Sequence, residues 1–500
     1  MLLSSDKKCL AYLLFVCFVV LSTFYVLQGN RRLSTKAIQN HDDEKLSIFY
    51  ETWCKVRRYM KDWRRIKQGC DGLIEWGSTK RGWDERTDAG KSIVIAMDIR
   101  RTYEFSRVWI ESRTSDNSAK KIGGDSWRVH LRGPSSPSAT VFDHRNGTYE
   151  VAFLLIEPGT YTLKAYLEHS LCDGLKDPPD NWFIVGNAQG KYQPQGTLGL
   201  DHAYISKKLN PLRPLQINIQ EQESLEYTQA VQMLMENGHK ICKDNCSFIW
   251  DGQGRWIDDK WHPYQRSKSF EKETSLRPIN KNHDGTLWFY GDSVMAQFYN
   301  NIKLFGKLCH MFSGGCGHTY NWVYKITGYN TTRAKIENDD KDFNVTRITD
   351  EVLQVISSPW INKPESVIIM NFGLHFTESS SFSNYKTLIT RLINIIKHEK
   401  RFQGRVIWRT TTALNKHKLG GKDQHSRRFL TQQRVILFNA FATSQMCNAG
   451  IPILDLFPLT DSYPKGSGIA GYQFDAVHYE HSTFAKAERL LEEVMKRKVI

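Results

Sequence analysis

The apolar positions of this chain change period along its length. From Leu46 to Trp63 they fall three and four apart, at Leu46, Phe49, Trp53, Val56, Met60 and Trp63, which is the spacing of one helical face. The opposite face is rich in Arg and Lys and would stay wet, so the stripe is expected to dock on the protein's own body. From about Ser92 to Ser170 the period shortens to two. Tyr149, Val151, Phe153 and Leu155 alternate with other residues, and Tyr161, Leu163, Ala165 and Leu167 repeat the device after a turn at Pro158 and Gly159. This predicts two half-buried strands.

With the runs SIVIAMDI and YEFSRVWIE upstream, the expected packing is an immunoglobulin-like antiparallel β-sandwich. The Pro-, Gly- and Asn-rich passage LCDGLKDPPDNWFIVGNAQGKYQPQG then places a boundary near residue 200.

Beyond it, helix-like and strand-like runs take turns. ESLEYTQAVQMLMENG reads as a helix, LWFY as a strand, SVMAQFYNNIKLF as a helix and SVIIMNF as a buried strand. YKTLITRLINIIKH, RVIWRT, RRFLTQQRVILFNAFATSQMCNAG, IPILDLF and HSTFAKAERLLEEVMKR continue as helix, strand, helix, strand, helix. This alternation predicts an α/β fold with a parallel sheet in three layers. In such sheets, ligands bind beyond the carboxyl ends of the strands.

One further apolar run changes the picture. Cys9 to Leu27 is 19 residues without a charge, flanked by Lys7 and Lys8 and by Arg31 and Arg32, about the length that crosses a bilayer as a helix. A cleavable leader would have a shorter apolar core, and no small-x-small site follows. The expected organisation is therefore a cytoplasmic tail (1–8), a transmembrane signal anchor (9–27), a stem (28–85), the sandwich (86–200) and the α/β domain (201–500).

The flanking charges nearly balance and do not set orientation. Four glycosylation sequons at Asn146, Asn245, Asn330 and Asn344 lie C-terminal to the span, as does the even set Cys54, Cys70, Cys172, Cys242, Cys246, Cys309, Cys316 and Cys447. Both features fit an oxidising lumen. A type II membrane protein of the Golgi or another secretory compartment is expected. The spacings Cys242 to Cys246 and Cys309 to Cys316, without a His partner set, are poor for zinc, so disulfides and no metal are expected. Their connectivity stays open.

Composition adds less. At 500 residues and 40% hydrophobic content the chain can build two or three domains with a sizeable core. Its formal charge of +15, from 68 Lys and Arg against 53 Asp and Glu, favours polyanions such as acidic glycans. The basic residues are scattered, and no nucleic-acid partner is expected. Nothing here indicates an oligomeric state.

The candidate chemistry sits at the predicted strand ends. LWFY runs into Gly291-Asp292-Ser293 at a helix start, where backbone amides favour the oxyanion that a nucleophilic serine creates. This is not a G-x-S-x-G elbow. FDAVHYEH supplies Asp475 and His478 three residues apart after the last strand, a turn in which the carboxylate can reach Nδ1 while Nε2 faces the serine. His481 is a nearby competitor. Asn371, directly after SVIIM, either caps the segment that follows or donates to the oxyanion together with the Ser293 amide. A glycine amide is wanted as well, with Gly314, Gly315 and Gly317 as undecided candidates.

These elements in this order resemble the SGNH or GDSL-type hydrolase superfamily. More narrowly, the chain resembles its PC-esterase group, which includes the neurexophilin and PC-esterase domain family of animals and the trichome-birefringence-like polysaccharide O-acetyltransferases of plants. Gly254, Trp256, Asp259, Pro263 and Tyr264 in CSFIWDGQGRWIDDKWHPYQ match that group's upstream motif; the aromatics among them also suit core packing, and both readings can hold. In the sandwich, Asp143, Gly147 and Tyr149 match the turn of filamin-type and neurexophilin-type domains. Two departures, Val294-Met295 in place of an arginine-containing helix start and no proline after His478, leave the substrate class open.

The resemblance implies an acyl-enzyme on Ser293 that passes an O-acetyl group to glycan hydroxyls. No bound cofactor is implied, and acetyl-CoA is a possible acyl donor; because one membrane span cannot import it, a separate transporter or another donor is implied. An O-acetyl esterase of the same fold and a non-catalytic adhesion module are the alternatives.

Overall fold

The computed structural model describes residues 42–78, 82–179, 204–209, 214–236, 242, 246–265, 285–321, 344–399, 401–419, 427–469 and 474–497. Among them no helix is long and apolar enough to cross a membrane. The expected span at 9–27, the boundary near residue 200, and the sequons at Asn245 and Asn330 lie outside the described residues.

The first helix covers residues 42–59 and buries Phe49, Trp53 and Val56 against Phe105, Phe142, Ala152 and Leu154. The apolar stripe thus docks on the protein's own sheet. It does not run unbroken to Trp63: Asp62 accepts from Arg65 N at 3.1 Å and caps a separate short helix, Trp63–Gln68. An aspartate that can bond a downstream amide starts a new helix more readily than it continues the old one.

Two antiparallel sheets follow. One has the order β1-β2-β6-β5, from β1 (Thr87–Asp98), β2 (Phe105–Thr114), β5 (Ala139–Asp143) and β6 (Thr148–Leu154). The other joins β3 (Ser126–Arg132), β7 (Gly159–His169), β8 (Lys207–Lys208) and β9 (Leu215–Ile219). Their shared core takes Val108, Ile110, Tyr149, Val151 and Phe153 from the first sheet and Val129, Leu131, Tyr161, Leu163 and Leu167 from the second. The turn at Pro158 carries the chain from one sheet to the other, so β6 and β7 do not pair with each other. β6 also buries Glu150, Ala152 and Leu154, because the helix over 42–59 covers its outer face.

The third unit is a six-stranded parallel sheet. Its order is β10-β17-β16-β15-β13-β14, from β10 (Phe248–Trp250), β13 (Leu287–Gly291), β14 (Cys316–Tyr320), β15 (Val367–Met370), β16 (Arg405–Arg409) and β17 (Ile453–Leu454). Consecutive residues of β15 show how the layers form. Ile368 and Met370 pack with the helices Val345–Ile356, Phe382–Ile393 and Gln432–Asn448, whereas Val367 and Ile369 pack with Ser293–Phe305 and Ala485–Arg497. A strand buried on both faces reads as a continuous apolar run.

The sandwich and the parallel sheet are stitched together. Within the sandwich segment, β4 (Ser136–Pro137) pairs with β11 (Gly254–Ile257), which pairs in turn with β12 (Lys260–Pro263). Trp256 Nε1 donates to Leu459 O at 2.9 Å on one side, and Tyr264 OH donates to Leu154 O at 2.7 Å on the other. Asp259 pairs with Lys465 at 2.8 Å. Four disulfides, Cys54–Cys242, Cys70–Cys172, Cys246–Cys447 and Cys309–Cys316, use every described cysteine. Cys242 and Cys246, neighbours in sequence, bond to distant partners.

Candidate active site

β13 ends at Gly291, and the helix Ser293–Phe305 begins two residues later. Asp292 drives that turn: its Oδ1 accepts from Val294 N at 3.1 Å and Met295 N at 3.4 Å, a helix cap that leaves out the Ser293 amide. Its Oδ2 accepts from Leu374 N at 3.0 Å and so ties the turn to the segment after β15. Two glycines permit the approach. A Cβ on Gly291 would lie 2.5 Å from Met295 Cβ, and one on Gly373 would lie 2.6 Å from Asp292 Oδ2.

His478 Nε2 lies 2.8 Å from Ser293 Oγ, and its Nδ1 lies 2.6 Å from Asp475 Oδ2. Asp475 Oδ1 also accepts from the amides of Val477, at 2.8 Å, and His478, at 3.0 Å. One carboxylate therefore both builds the turn and orients the imidazole on it. Burial pushes the Asp475 carboxyl up, but the His478 ring and the two amides outweigh it and hold it at about 2. A serine bonded to an imidazole whose other nitrogen is held by a carboxylate has the geometry that nucleophilic catalysis requires.

The loop is fixed by three hydrogen bonds from two segments. Gly468 N donates to His478 O at 2.7 Å, Asn415 N to Ala476 O at 2.8 Å, and Ser467 Oγ to Asp475 O at 2.9 Å. His481 plays no part: it packs on Phe305 and lies 3.5 Å from Glu488.

Asn371 requires a correction. The structure places it at the carboxyl end of β15, as expected, but turns its amide inward, where Nδ2 donates to Arg409 O at 2.9 Å and Thr411 Oγ1 at 3.2 Å. With both amide hydrogens committed and the residue buried, the side chain as placed has no hydrogen left to offer an oxyanion. Its backbone serves the site instead. Asn371 N donates to Tyr290 O, and Asn371 O accepts from Asn321 Nδ2, locking three strand ends together. Gly314, Gly315 and Gly317 lie towards the other end of the sheet, since Leu287, the first residue of β13, pairs with Cys316 and Trp288 with Gly317.

Several residues that sequence reasoning passed over shape the site. Gln297 joins the serine helix to the residue after His478. Arg409, fully buried, lies over Phe298 and Phe484 beneath the turn. Burial pulls its guanidinium down to about 10, against the opposing pull of Asp292. Tyr320 and His375 are bonded to each other at 2.9 Å beside the same turn. Periodicity carries no signal for such long-range polar pairs.

Asn146 and Asn344 are exposed. Asn146 Oδ1 accepts from Thr148 Oγ1 at 2.7 Å, and Asn344 Oδ1 caps its helix by accepting from Arg347 N at 3.0 Å. No group of three or more metal-ligating side chains occurs among the described residues.

No protein-family model and no curated protein matches the chain. Among solved structures, a Bacteroides fragilis protein described as a candidate acylhydrolase is similar at 14% identity with a TM-score of 0.29, over 45% of this chain and 93% of its own. The YxiM protein of Bacillus subtilis is similar at 11% identity and a TM-score of 0.26, over 85% and 97%. The filamin domain of Lin-41 is similar at 14% identity and a TM-score of 0.15, over 16% and 80%.

Proposed function

We propose that this protein is a serine acyl-transfer enzyme of SGNH type, in which Ser293 is the nucleophile, His478 the general base and then acid, and Asp475 the residue that orients it. The observation that carries this reading is the continuous array Asp475 Oδ2, His478 Nδ1, His478 Nε2, Ser293 Oγ, with links of 2.6 and 2.8 Å. Ser293 Oγ attacks an acyl carbonyl while its proton passes to His478 Nε2. Collapse of the oxyanion expels the leaving group, which takes that proton, and leaves an ester on Ser293. A hydroxyl then repeats the steps in reverse order.

The second substrate decides the name. We read it as a glycan hydroxyl, acidic glycans included, which makes the protein an O-acetyltransferase with a thioester such as acetyl-CoA as donor. The resemblance to the PC-esterase group and the sequence signs of a lumenal, membrane-anchored chain support this. A second reading, O-acetyl ester hydrolysis, is favoured by access: the side chains of His478 and Asp475 remain 26% and 19% exposed, so water reaches the array.

A fluorophosphonate probe on the full-length, detergent-solubilised chain tests the chemistry. Labelling that Ser293→Ala removes is expected, and an unlabelled, well-folded wild-type chain overturns the reading in favour of a binding module. Incubation with acetyl-CoA and sialylated or neutral glycans separates the two enzymes. Transfer yields a glycan heavier by one acetyl group, whereas hydrolysis yields free acetate alone.

A further inference from the structure

The acyl chemistry proposed above needs a hydrogen-bond donor for the developing oxyanion besides the Ser293 amide, and the two asparagines at neighbouring strand ends are turned to partners inside the fold. Asn371 donates to Arg409 O and Thr411 Oγ1, and Asn321 Nδ2 donates to Asn371 O at 2.6 Å. Resting on that reading, we propose that the Tyr320 hydroxyl is the side-chain oxyanion donor and that His375 is the positioning residue that aims it.

Three observations place the pair. Tyr320 is the last residue of β14 and stands in register with Gly291, so it ends at the carboxyl edge of the sheet one residue short of the Asp292-Ser293 turn. His375 follows Leu374, whose amide is bonded to Asp292, and its Nε2 lies 2.9 Å from the Tyr320 hydroxyl. Both rings are half-buried, and both feel the charge of Asp292; His375 also feels that of His478.

The chemistry suits the task. Burial pushes the tyrosine hydroxyl up and the imidazole down from their ordinary values, so near neutrality the phenol keeps its proton and the ring is uncharged. When Nε2–H of His375 donates to the phenol oxygen, the phenol's own hydrogen points elsewhere. A donor held in place before reaction stabilises the transition state without reorganising, and removing one such donor costs on the order of a hundredfold or more in kcat.

Turnover of a soluble acetyl ester by the full-length chain, compared across Tyr320→Phe, His375→Gln, the double variant and Ser293→Ala, tests the assignment. Tyr320→Phe is expected to lower kcat by about 10²-fold with KM held within about twofold, because the contact is made in the transition state. His375→Gln should lose less, since an amide N–H can still hold the phenol, and the double variant should fall no further than Tyr320→Phe alone. If Tyr320→Phe keeps kcat within about threefold while Ser293→Ala is inactive, the donor assignment fails and the acyl chemistry stands. Additive losses in the double variant also overturn it, because they show two independent roles. If Ser293→Ala keeps turnover, the underlying reading fails first.

Discussion

Gln297 clasps the backbone of Tyr479, donating from Nε2 to Tyr479 O at 2.5 Å and accepting from Tyr479 N at 3.4 Å. One turn separates Gln297 from Ser293 on the same helix, and Tyr479 follows His478, so this side chain ties the helix of Ser293 to the loop of His478. Tyr479 is itself anchored, its hydroxyl donating to Ala413 O at 2.7 Å. Gln297→Ala should lower kcat of the proposed reaction by roughly 10- to 100-fold while costing only about 1–2 kcal/mol of stability for the lost hydrogen bonds. Parallel kinetics and thermal melts read both. An unchanged kcat would show that the loop holds its place without the clasp.

Asp475→Asn should be more damaging to activity. The amide can still accept from Val477 N and His478 N and keep the turn, but its NH₂ faces His478 Nδ1 and favours the tautomer that cannot take the serine proton. In the worked serine triad the same exchange costs about 10⁴-fold in kcat. The variant also changes the acid limb of stability. With its carboxyl held at about 2, below the ordinary aspartate value of about 3.9, Asp475 stabilises the fold above that ordinary value and loses the contribution as pH falls towards 2. Unfolding followed from pH 5 to pH 2 should show a shallower decline for Asp475→Asn.

Residues that act through local spacing were legible in the sequence, and residues that act across the fold were not. The helix Ser293–Phe305 has the bounds that its periodicity gives, and four of the six parallel strands announce themselves as apolar runs. β14 does not: CGHTY is an edge strand, buried mainly at Gly317, and an edge needs no unbroken apolar run. The Asp475-x-x-His478 turn could be found because both partners share one loop. Asn371 could be found, but its direction could not, because the groups that claim its amide, Arg409 O and Thr411 Oγ1, lie about forty residues away.

Asn371 now separates two roles by experiment. As an oxyanion donor its loss would cost kcat and spare the fold. As a buried clamp its replacement by Ala leaves Arg409 O without this donor, which should cost about 1–3 kcal/mol. The expected result for Asn371→Ala is a lowered unfolding midpoint, with kcat per folded molecule reduced less than tenfold in comparison with the hundredfold expected of a donor. A normal melt with a hundredfold kcat loss would restore the donor role.

Asp455 sets a different pH dependence, on the alkaline side of Asp475's. It lies just past β17, where its Oδ1 accepts from Thr410 Oγ1 at 2.7 Å and Phe457 N at 3.0 Å. Burial pushes its carboxyl up to about 7; Asp251 adds to the rise, while the two hydrogen bonds and Arg57 oppose it. Because the folded value lies above the unfolded one, the native state binds the proton more tightly. Stability should therefore be greatest, as far as this group goes, below about pH 4, decline as pH rises towards 7, and level off above. Asp455→Asn keeps an oxygen for Thr410 and Phe457 and has no proton to lose. The variant should flatten the decline between pH 4 and pH 7 and melt higher than wild type at pH 8. Equal melting temperatures at pH 8, with parallel curves below it, would show that Asp455 does not carry the titration.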